Sequence, residues 1–380
     1  MGNMRIGINA LYVIPGQNGG TETYLMGIMR ELLALSSGRH EFFVYCNSSA
    51  APTLSAAFEG ATMVPCAVSG DSRIARVLYE QLWLPRLVKR DAIDVLHSPG
   101  FVLPLAATCR HVLTVHDFFH ERYPAWLSPL KRAYWRLLIP PSIRKADRVI
   151  VVSEAVKTEL ERYFPDAMGK SVVTHEGSKF SDTTRGAPCA HISSHSATPY
   201  FFWVGTLAKH KNLGTMIRAF RLFKEAHGGA HRLVLAGGVG QNIKPALMDA
   251  TEREDLARVE PWITWAGRVS DAELATLYQG ALSLIFLSLY EGFGLPVLEA
   301  MSLGCPVITS ARGSLGEVAG DAALLIDEPT DAAATCQAMS RIAFDIEVRE
   351  KLITKGLARS EEFTFAKAAQ LTLECYGGAA

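Results

Sequence analysis

Two glutamates with seven residues between them carry the clearest chemical pattern in this chain, in the run Glu291-Gly292-Phe293-Gly294-Leu295-Pro296-Val297-Leu298-Glu299-Ala300-Met301. The run follows an apolar segment, Ser283–Leu287, that reads as a strand. Glycines at 292 and 294 suit a loop whose backbone approaches a ligand closely. Pro296 suits the first turn of a helix. Such a helix aims its unpaired N–H groups and positive end back at the loop, which makes an anion site. Glu291 then lies in the loop and Glu299 about one turn into the helix. A carboxylate accepts paired hydrogen bonds from a diol, so two carboxylates beside a phosphate site suit the hydroxyls of a sugar and a ribose. Spacing alone fits equally well a loop glutamate and a glutamate that merely satisfies its own helix.

Other groups suit the same chemistry. In Gly16-Gln17-Asn18-Gly19-Gly20-Thr21, after the first strand, Gly19 and Gly20 would let backbone N–H groups reach a diphosphate, or form a plain tight turn. His116, in Val115-His116-Asp117, ends a buried strand, the side on which open α/β sheets bind ligands. His97 also ends a strand and reads as a satisfied core histidine. Lys209, His210 and Lys211 follow the strand Phe201–Val204 and could hold a departing diphosphate, whose growing charge needs fixed cations. No Asp-x-Asp and no Cys/His cluster with zinc spacing occurs, so no metal is expected. A Gly-x-Gly-x-x-Gly dinucleotide fingerprint is not supported either.

The elements that must position these residues alternate. Candidate strands are Arg5–Ala10, Glu41–Tyr45, Val95–His97, Val112–Val115 and Arg148–Ser153, then Phe201–Val204, Arg232–Ala236, Ile263–Ala266, Ser283–Leu287 and Val307–Ser310. Their apolar runs are continuous, as in strands covered on both faces. Helical patterns between them include Glu22–Leu35, Glu154–Tyr163, Leu213–Glu225, Asp271–Tyr278 and Leu298–Leu303, and the stretch Ile346–Tyr376 reads as helical. The alternation predicts an α/β fold of parallel sheets with right-handed crossovers. At 380 residues two domains are expected. The expected division is 1–180, a polar linker at 181–199, 200–360, and a C-terminal helix at 361–380 crossing back to the first domain.

Composition narrows the class. Hydrophobic residues make up 49% and charged residues 20%, as in a globular protein. Lys plus Arg and Asp plus Glu are 38 each, so the global basic excess of a nucleic-acid binder is missing. Seven scattered cysteines without a Cys-x-x-Cys pair suit a reducing cytosol. No apolar run reaches the roughly 18 residues of a membrane span, and the N-terminus reads as a buried strand rather than a signal peptide. A cytoplasmic location is expected. Two stretches of the first half, Ser72–Arg90 and Trp126–Arg148, mix Lys and Arg with Tyr and Trp. They suit either the anionic inner face of a membrane or ordinary helices with a solvated basic edge.

The glutamate block resembles the signature of glycosyltransferase family 4, and weaker landmarks appear in order along nearly the whole chain: Asn18-Gly19-Gly20-Thr21-Glu22-Thr23, Val115-His116-Asp117, Val204-Gly205-Thr206-Leu207-Ala208-Lys209-His210-Lys211-Asn212-Leu213 and Leu235-Ala236-Gly237-Gly238. The resemblance implies the GT-B architecture, two Rossmann-like domains with parallel sheets facing across a cleft, and retaining transfer from a nucleotide-sugar without metal or other cofactor. It implies His116 and Glu291 at the donor sugar, Glu299 at the ribose, Gly19 and Gly20 at the diphosphate, and Lys211 as the phosphate-binding lysine. The loop Gly292, Phe293, Gly294 and Leu295 would complete the donor site, together with Lys209 and Thr206. Thr206 stands where the family often has an arginine, and Lys209 is the candidate replacement. The block is most similar to that of bacterial mannosyltransferases, so GDP-mannose is the expected donor, a UDP-sugar the alternative, and a glycan or lipid-linked molecule the acceptor. A sugar-nucleotide epimerase and a sugar-binding protein are the readings from other classes.

Overall fold

The computed structural model describes residues 2–180, 198–238 and 248–377. Most of the expected linker, residues 181–197, lies outside the described residues. The chain divides into two compact units, Met1–Gly177 with Thr364–Ala380, and Ser178–Phe363. Each is built on a parallel sheet with helices, the α/β class expected from the strand–helix alternation.

In the first unit the strands are β1 Arg5–Ala10, β2 Glu41–Asn47, β3 Thr62–Cys66, β4 Val95–Ser98, β5 Arg110–Val115, β6 Arg148–Val151 and β7 Ser171–Val173. Their order is β3-β2-β1-β4-β5-β6-β7, so the direction of winding reverses between β1 and β4. Ligands in such sheets sit outside the carboxyl ends of the strands at that reversal. Arg5–Ala10 forms a strand because Ile6 to Ala10 is buried on both faces, leaving no solvated side to set an alternation. Helix α1, Gly20–Ser36, buries Tyr24, Leu25, Ile28, Met29 and Leu32 against that sheet. Each such side chain contributes about 1.5–3 kcal/mol of burial. Helix α2 spans Arg73–Leu82 and α3 spans Pro129–Lys145.

The C-terminal helix, Phe365–Gly377, packs on α1. Approach is so close that a Cβ at Gly27 would lie 2.3 Å from the Phe365 ring. Within the sheet His97 binds this helix: Nδ1 is 2.7 Å from the Tyr376 hydroxyl and Nε2 is 2.8 Å from Thr114 Oγ1. Burial lowers His97 to about 3, so it is a neutral, fully partnered core residue.

The second unit contains β8 Tyr200–Val204, β9 Arg232–Ala236, β10 Ile263–Gly267, β11 Ser283–Phe286, β12 Val307–Ser310 and β13 Leu324–Ile326, in the order β10-β9-β8-β11-β12-β13. Its reversal falls between β8 and β11. Helix α4, Leu213–His227, covers one face through Met216, Ile217, Phe220 and Phe223, and α5 is Leu295–Ser302.

Some boundaries differ from the sequence reading. Strand β6 stops at Val151, because the Ser153 side chain accepts a hydrogen bond from Val156 N and caps the helix Glu154–Tyr163. Helix α5 begins at Leu295 rather than Leu298, with Gly294 at φ 114° as its cap and Pro296 in its first turn. The stretch 346–376 is two helices, Ile346–Ser360 and Phe365–Gly377.

Candidate active site

In the second unit the expected donor residues converge at the carboxyl ends of β8 and β11, the point of reversal. After β8 the chain forms a short turn, Lys209–Lys211, then Asn212 in the left-handed conformation at φ 54° before α4. Asn212 tolerates that backbone better than most side chains. Its Nδ2 donates to Leu287 O at 3.1 Å and Pro329 O at 2.6 Å, and Leu289 N donates to His210 O at 2.7 Å. The turn is thereby stapled to the loop that follows β11. Lys211 Nζ is then 2.6 Å from Glu291 Oε1 and 5.1 Å from the centre of the Phe286 ring. The two expected catalytic groups of this unit are bonded to each other, and both are largely buried. Ser314 Oγ fixes the Glu291 backbone by donating to its carbonyl at 2.8 Å.

Gly294 can cap α5 because of its positive φ, and a Cβ there would lie 2.8 Å from Leu315 Cδ2. The first turn of α5 follows the Glu291 loop, but the open amides expected there are largely used up: Val297 N and Leu298 N donate to Gly294 O at 2.9 and 3.3 Å, and Pro296 has no N–H. Phe293 is buried with its ring edge-on to Phe363, 5.8 Å between centroids, so its side chain packs into the interior rather than toward a ligand. Leu295 is likewise buried, and Gly292 is half-buried. Thr206 and Lys209 are exposed, and Lys209 has no ion pair among the described residues.

Glu299 lies one turn into α5 and is buried. Tyr278 donates to its Oε2 at 3.1 Å, and Lys179 Nζ is 3.9 Å from its Oε1. Burial pushes its carboxyl up to about 7, against the opposing pull of Lys179 and Tyr278. Lys179 also pairs with Asp271. Lys179, Tyr278, Asn212 and Ser314 were not singled out in the sequence. The one signal available was an asparagine directly before a helix.

The first unit carries the other candidates. Gly19, at φ 56° and ψ −128°, caps α1 in a conformation open essentially to glycine, and Gly20 begins the helix. Glu22 folds back on the loop and accepts from Gly16 N at 2.8 Å and Asn18 N at 3.3 Å. That occupies two loop amides and leaves those of Gly19 and Gly20 for an anion. His116 is buried at the end of β5 with both ring nitrogens engaged. Nδ1 is 3.1 Å from Glu176 Oε1, and Nε2 is 2.9 Å from the Pro99 carbonyl. Both neighbours are oxygens, so the ring is held from both nitrogens. The ring of Tyr24 meets His116 edge-on at 4.9 Å, and Phe101 lies at 5.4 Å. For His116 to touch a sugar, Nε2 must exchange the Pro99 carbonyl for a hydroxyl.

Two parallel α/β units, with an acid–lysine pair and a helix start at a sheet reversal, make the GT-B architecture, and solved structures agree on the fold. Sucrose-phosphate synthase from Thermosynechococcus elongatus matches with a TM-score of 0.74 and 22% identity, covering 98% of each chain. The chain belongs to glycosyltransferase family 4. Residues 18–177 match Glycosyltransferase Family 4, and residues 192–359 match Glycosyl transferases group 1. It is 30% identical to O-antigen chain mannosyltransferase B of Escherichia coli over 76% of this chain and 75% of that one. It is 25% identical to O-antigen chain mannosyltransferase RfbU of Salmonella typhimurium over 70% of this chain and 71% of that one. The protein is a glycosyltransferase.

Proposed function

We propose that this glycosyltransferase moves mannose from GDP-mannose to a glycan or lipid-linked acceptor in the synthesis of a surface polysaccharide, with retention of anomeric configuration and without metal. The observation that carries the reading is the Lys211–Glu291 pair beside the first turn of α5, in a chain whose relatives include two O-antigen mannosyltransferases. Lys211 and the positive end of α5 would hold the diphosphate. Glu291 would orient the sugar hydroxyls and Glu299 the ribose. As the anomeric bond breaks, the sugar gains oxocarbenium character and the diphosphate gains charge, which those groups stabilise without reorganising. Retention follows if the acceptor attacks from the face the diphosphate leaves, with a phosphate oxygen taking the acceptor proton. Within the first unit, Gly19 and Gly20 would offer amides to a phosphate, and His116 would meet a sugar hydroxyl. Lysine and a helix start supply the positive charge that a metal would otherwise bring, and the sequence contains no Asp-x-Asp.

Among the described residues no helix is long and apolar enough to cross a membrane. A peripheral attachment is proposed instead, on the surface formed by α2 and α3 of the first unit. Ile74, Leu78, Leu82, Leu130 and Leu137 are each more than half exposed there, among Arg73, Arg86 and Arg136. Exposed leucines beside arginines suit an anionic lipid surface. The test of the reading is incubation with GDP-mannose and with UDP-hexoses in EDTA, followed by NMR of the product anomer. An α-mannoside from GDP-mannose supports it. A β-linked product, or transfer from UDP-sugars alone, overturns it.

A further inference from the structure

The first unit has its own point of sheet reversal, between β1 and β4, and an acidic residue is built into it. Asn9 near the end of β1 lies beside Ser98 at the end of β4, and its Nδ2 is 3.2 Å from Ser98 Oγ. The same Nδ2 donates to Glu80 Oε1 at 2.6 Å. Glu80 comes from α2, and that helix is inside out. Glu80 is its buried residue, while Ile74, Leu78 and Leu82 stand more than half exposed. A helix placed for stability alone would bury the leucines and solvate the glutamate. Here a carboxylate is held out of water at the carboxyl ends of two central strands, where open sheets of this kind bind ligands, at a cost that one amide hydrogen bond only partly offsets.

The loop after β4 is held beside α2. Gln81, next to Glu80, donates to Leu103 O at 2.9 Å and accepts from Leu105 N at 3.0 Å, which fixes the loop after β4. In that loop a Cβ at Gly100 would lie 2.6 Å from the Tyr12 ring, so Tyr12 lies directly on the backbone. The next residue, Phe101, is held at φ 72°, a costly conformation for a bulky side chain. Its ring lies 5.5 Å from that of Trp135. Arg76 Nη1 donates to Tyr12 O at 3.3 Å. A carboxylate and an amide for hydroxyl groups, with aromatic rings for the apolar face of a ring, is the combination a pyranose needs.

We propose that Glu80 is an acceptor-recognising residue, whose carboxylate, positioned by Asn9, accepts hydrogen bonds from hydroxyls of a pyranose at the acceptor end, with Phe101 and Trp135 offering apolar contact. This rests on the glycosyltransferase reading and adds where the acceptor sugar is recognised. The carboxylate is the accepting form. Burial pushes Glu80 up to about 7, against the Asn9 hydrogen bond and Arg76. Among the described residues the charged and titratable groups that act on it are Arg76 from its own helix and Tyr134 from α3, while the strands present neutral Asn9 and Ser98. Pyranose binding therefore strengthens as pH rises through 7.

The experiment is saturation-transfer NMR of methyl α-D-mannopyranoside with the intact protein saturated with GDP, from pH 6 to pH 8. The wild type should bind the pyranoside about tenfold more tightly at pH 8 than at pH 6. Glu80→Gln should weaken binding at pH 8 at least about tenfold and flatten the pH dependence, with GDP affinity unchanged. Wild-type binding that does not vary with pH contradicts the proposal without any variant. So does a Glu80→Gln protein that binds the pyranoside as well as wild type, or a wild type that binds GDP but no pyranoside. Failure of the wild type to bind GDP would instead remove the reading beneath it.

Discussion

Lys211 Nζ and Glu291 Oε1 are bonded to each other at 2.6 Å, although they are 80 residues apart. The charge expected to meet the diphosphate and the carboxylate expected to meet the sugar hold one another in place before any ligand arrives. A donor that binds here must share Lys211 with Glu291, and the pair fixes both side chains without further ordering.

Loss of the ammonium should hurt the transition state more than the ground state, because the diphosphate gains charge as the bond breaks. Lys211→Ala is expected to lower kcat about 10²–10³-fold, with a smaller loss of GDP affinity. Exposed Lys209 has no comparable anchor among the described residues, so Lys209→Ala should stay within a few-fold of wild type. Steady-state kinetics on both variants decide the point, and a large loss confined to Lys209→Ala would move the charge to that residue. Because Lys211 and Glu291 act together, the Lys211→Ala, Glu291→Gln double variant should cost much less than the sum of the two.

Glu299 gives a pH-dependent stability with a definite sign. Burial raises its folded value from an ordinary 4.5 to about 7. The native state thus holds a proton that the unfolded chain releases, and stability from this group is fully present below 4.5 and lost as pH rises through 7. Glu299→Gln removes that loss. Its gain over wild type at pH 8 should be at most about 3 kcal/mol and should vanish near pH 4. Urea unfolding at both pH values measures it. The same variant should bind GDP less tightly by about 1–3 kcal/mol at pH 8, and unchanged affinity would remove the ribose role.

The interior strands were legible because burial on both faces leaves a continuous apolar run, as in Phe201–Val204 inside β8. The unseen strands β3, β7 and β13 are all sheet edges. β3 carries Pro65, a residue that sheets accept mainly in edge strands, and β7 and β13 are three residues each. The Glu291–Glu299 block was legible because glycine, proline and acid fall within one short loop and helix. Lys179, Tyr278 and Asn212 reach the same region from segments 20 to 120 residues away, and Glu80 reaches Asn9 across 71 residues. Common residue types carry no local signal for such pairings.

The C-terminal helix should be sensitive at one glycine. A methyl at Gly27 has no room beside Phe365, so Gly27→Ala should destabilise the protein by about 1–3 kcal/mol despite the better helix propensity of alanine. A raised melting temperature would contradict the packing described.

The exposed apolar residues of α2 and α3 bear on membrane attachment. Co-sedimentation with vesicles should rise with anionic lipid and fall with salt, and Leu78→Glu with Leu137→Glu should reduce it at least about tenfold. Equal binding to neutral and anionic vesicles would favour a solvated basic edge.

The central claim is that the second unit holds a guanosine diphosphate-sugar without metal. Isothermal titration of GDP, UDP and ADP into the intact protein in excess EDTA tests it most directly. The account predicts one site with GDP at least about tenfold tighter than UDP or ADP. Binding of no nucleoside diphosphate, tighter binding of UDP, or binding that returns only when manganese is added would contradict it.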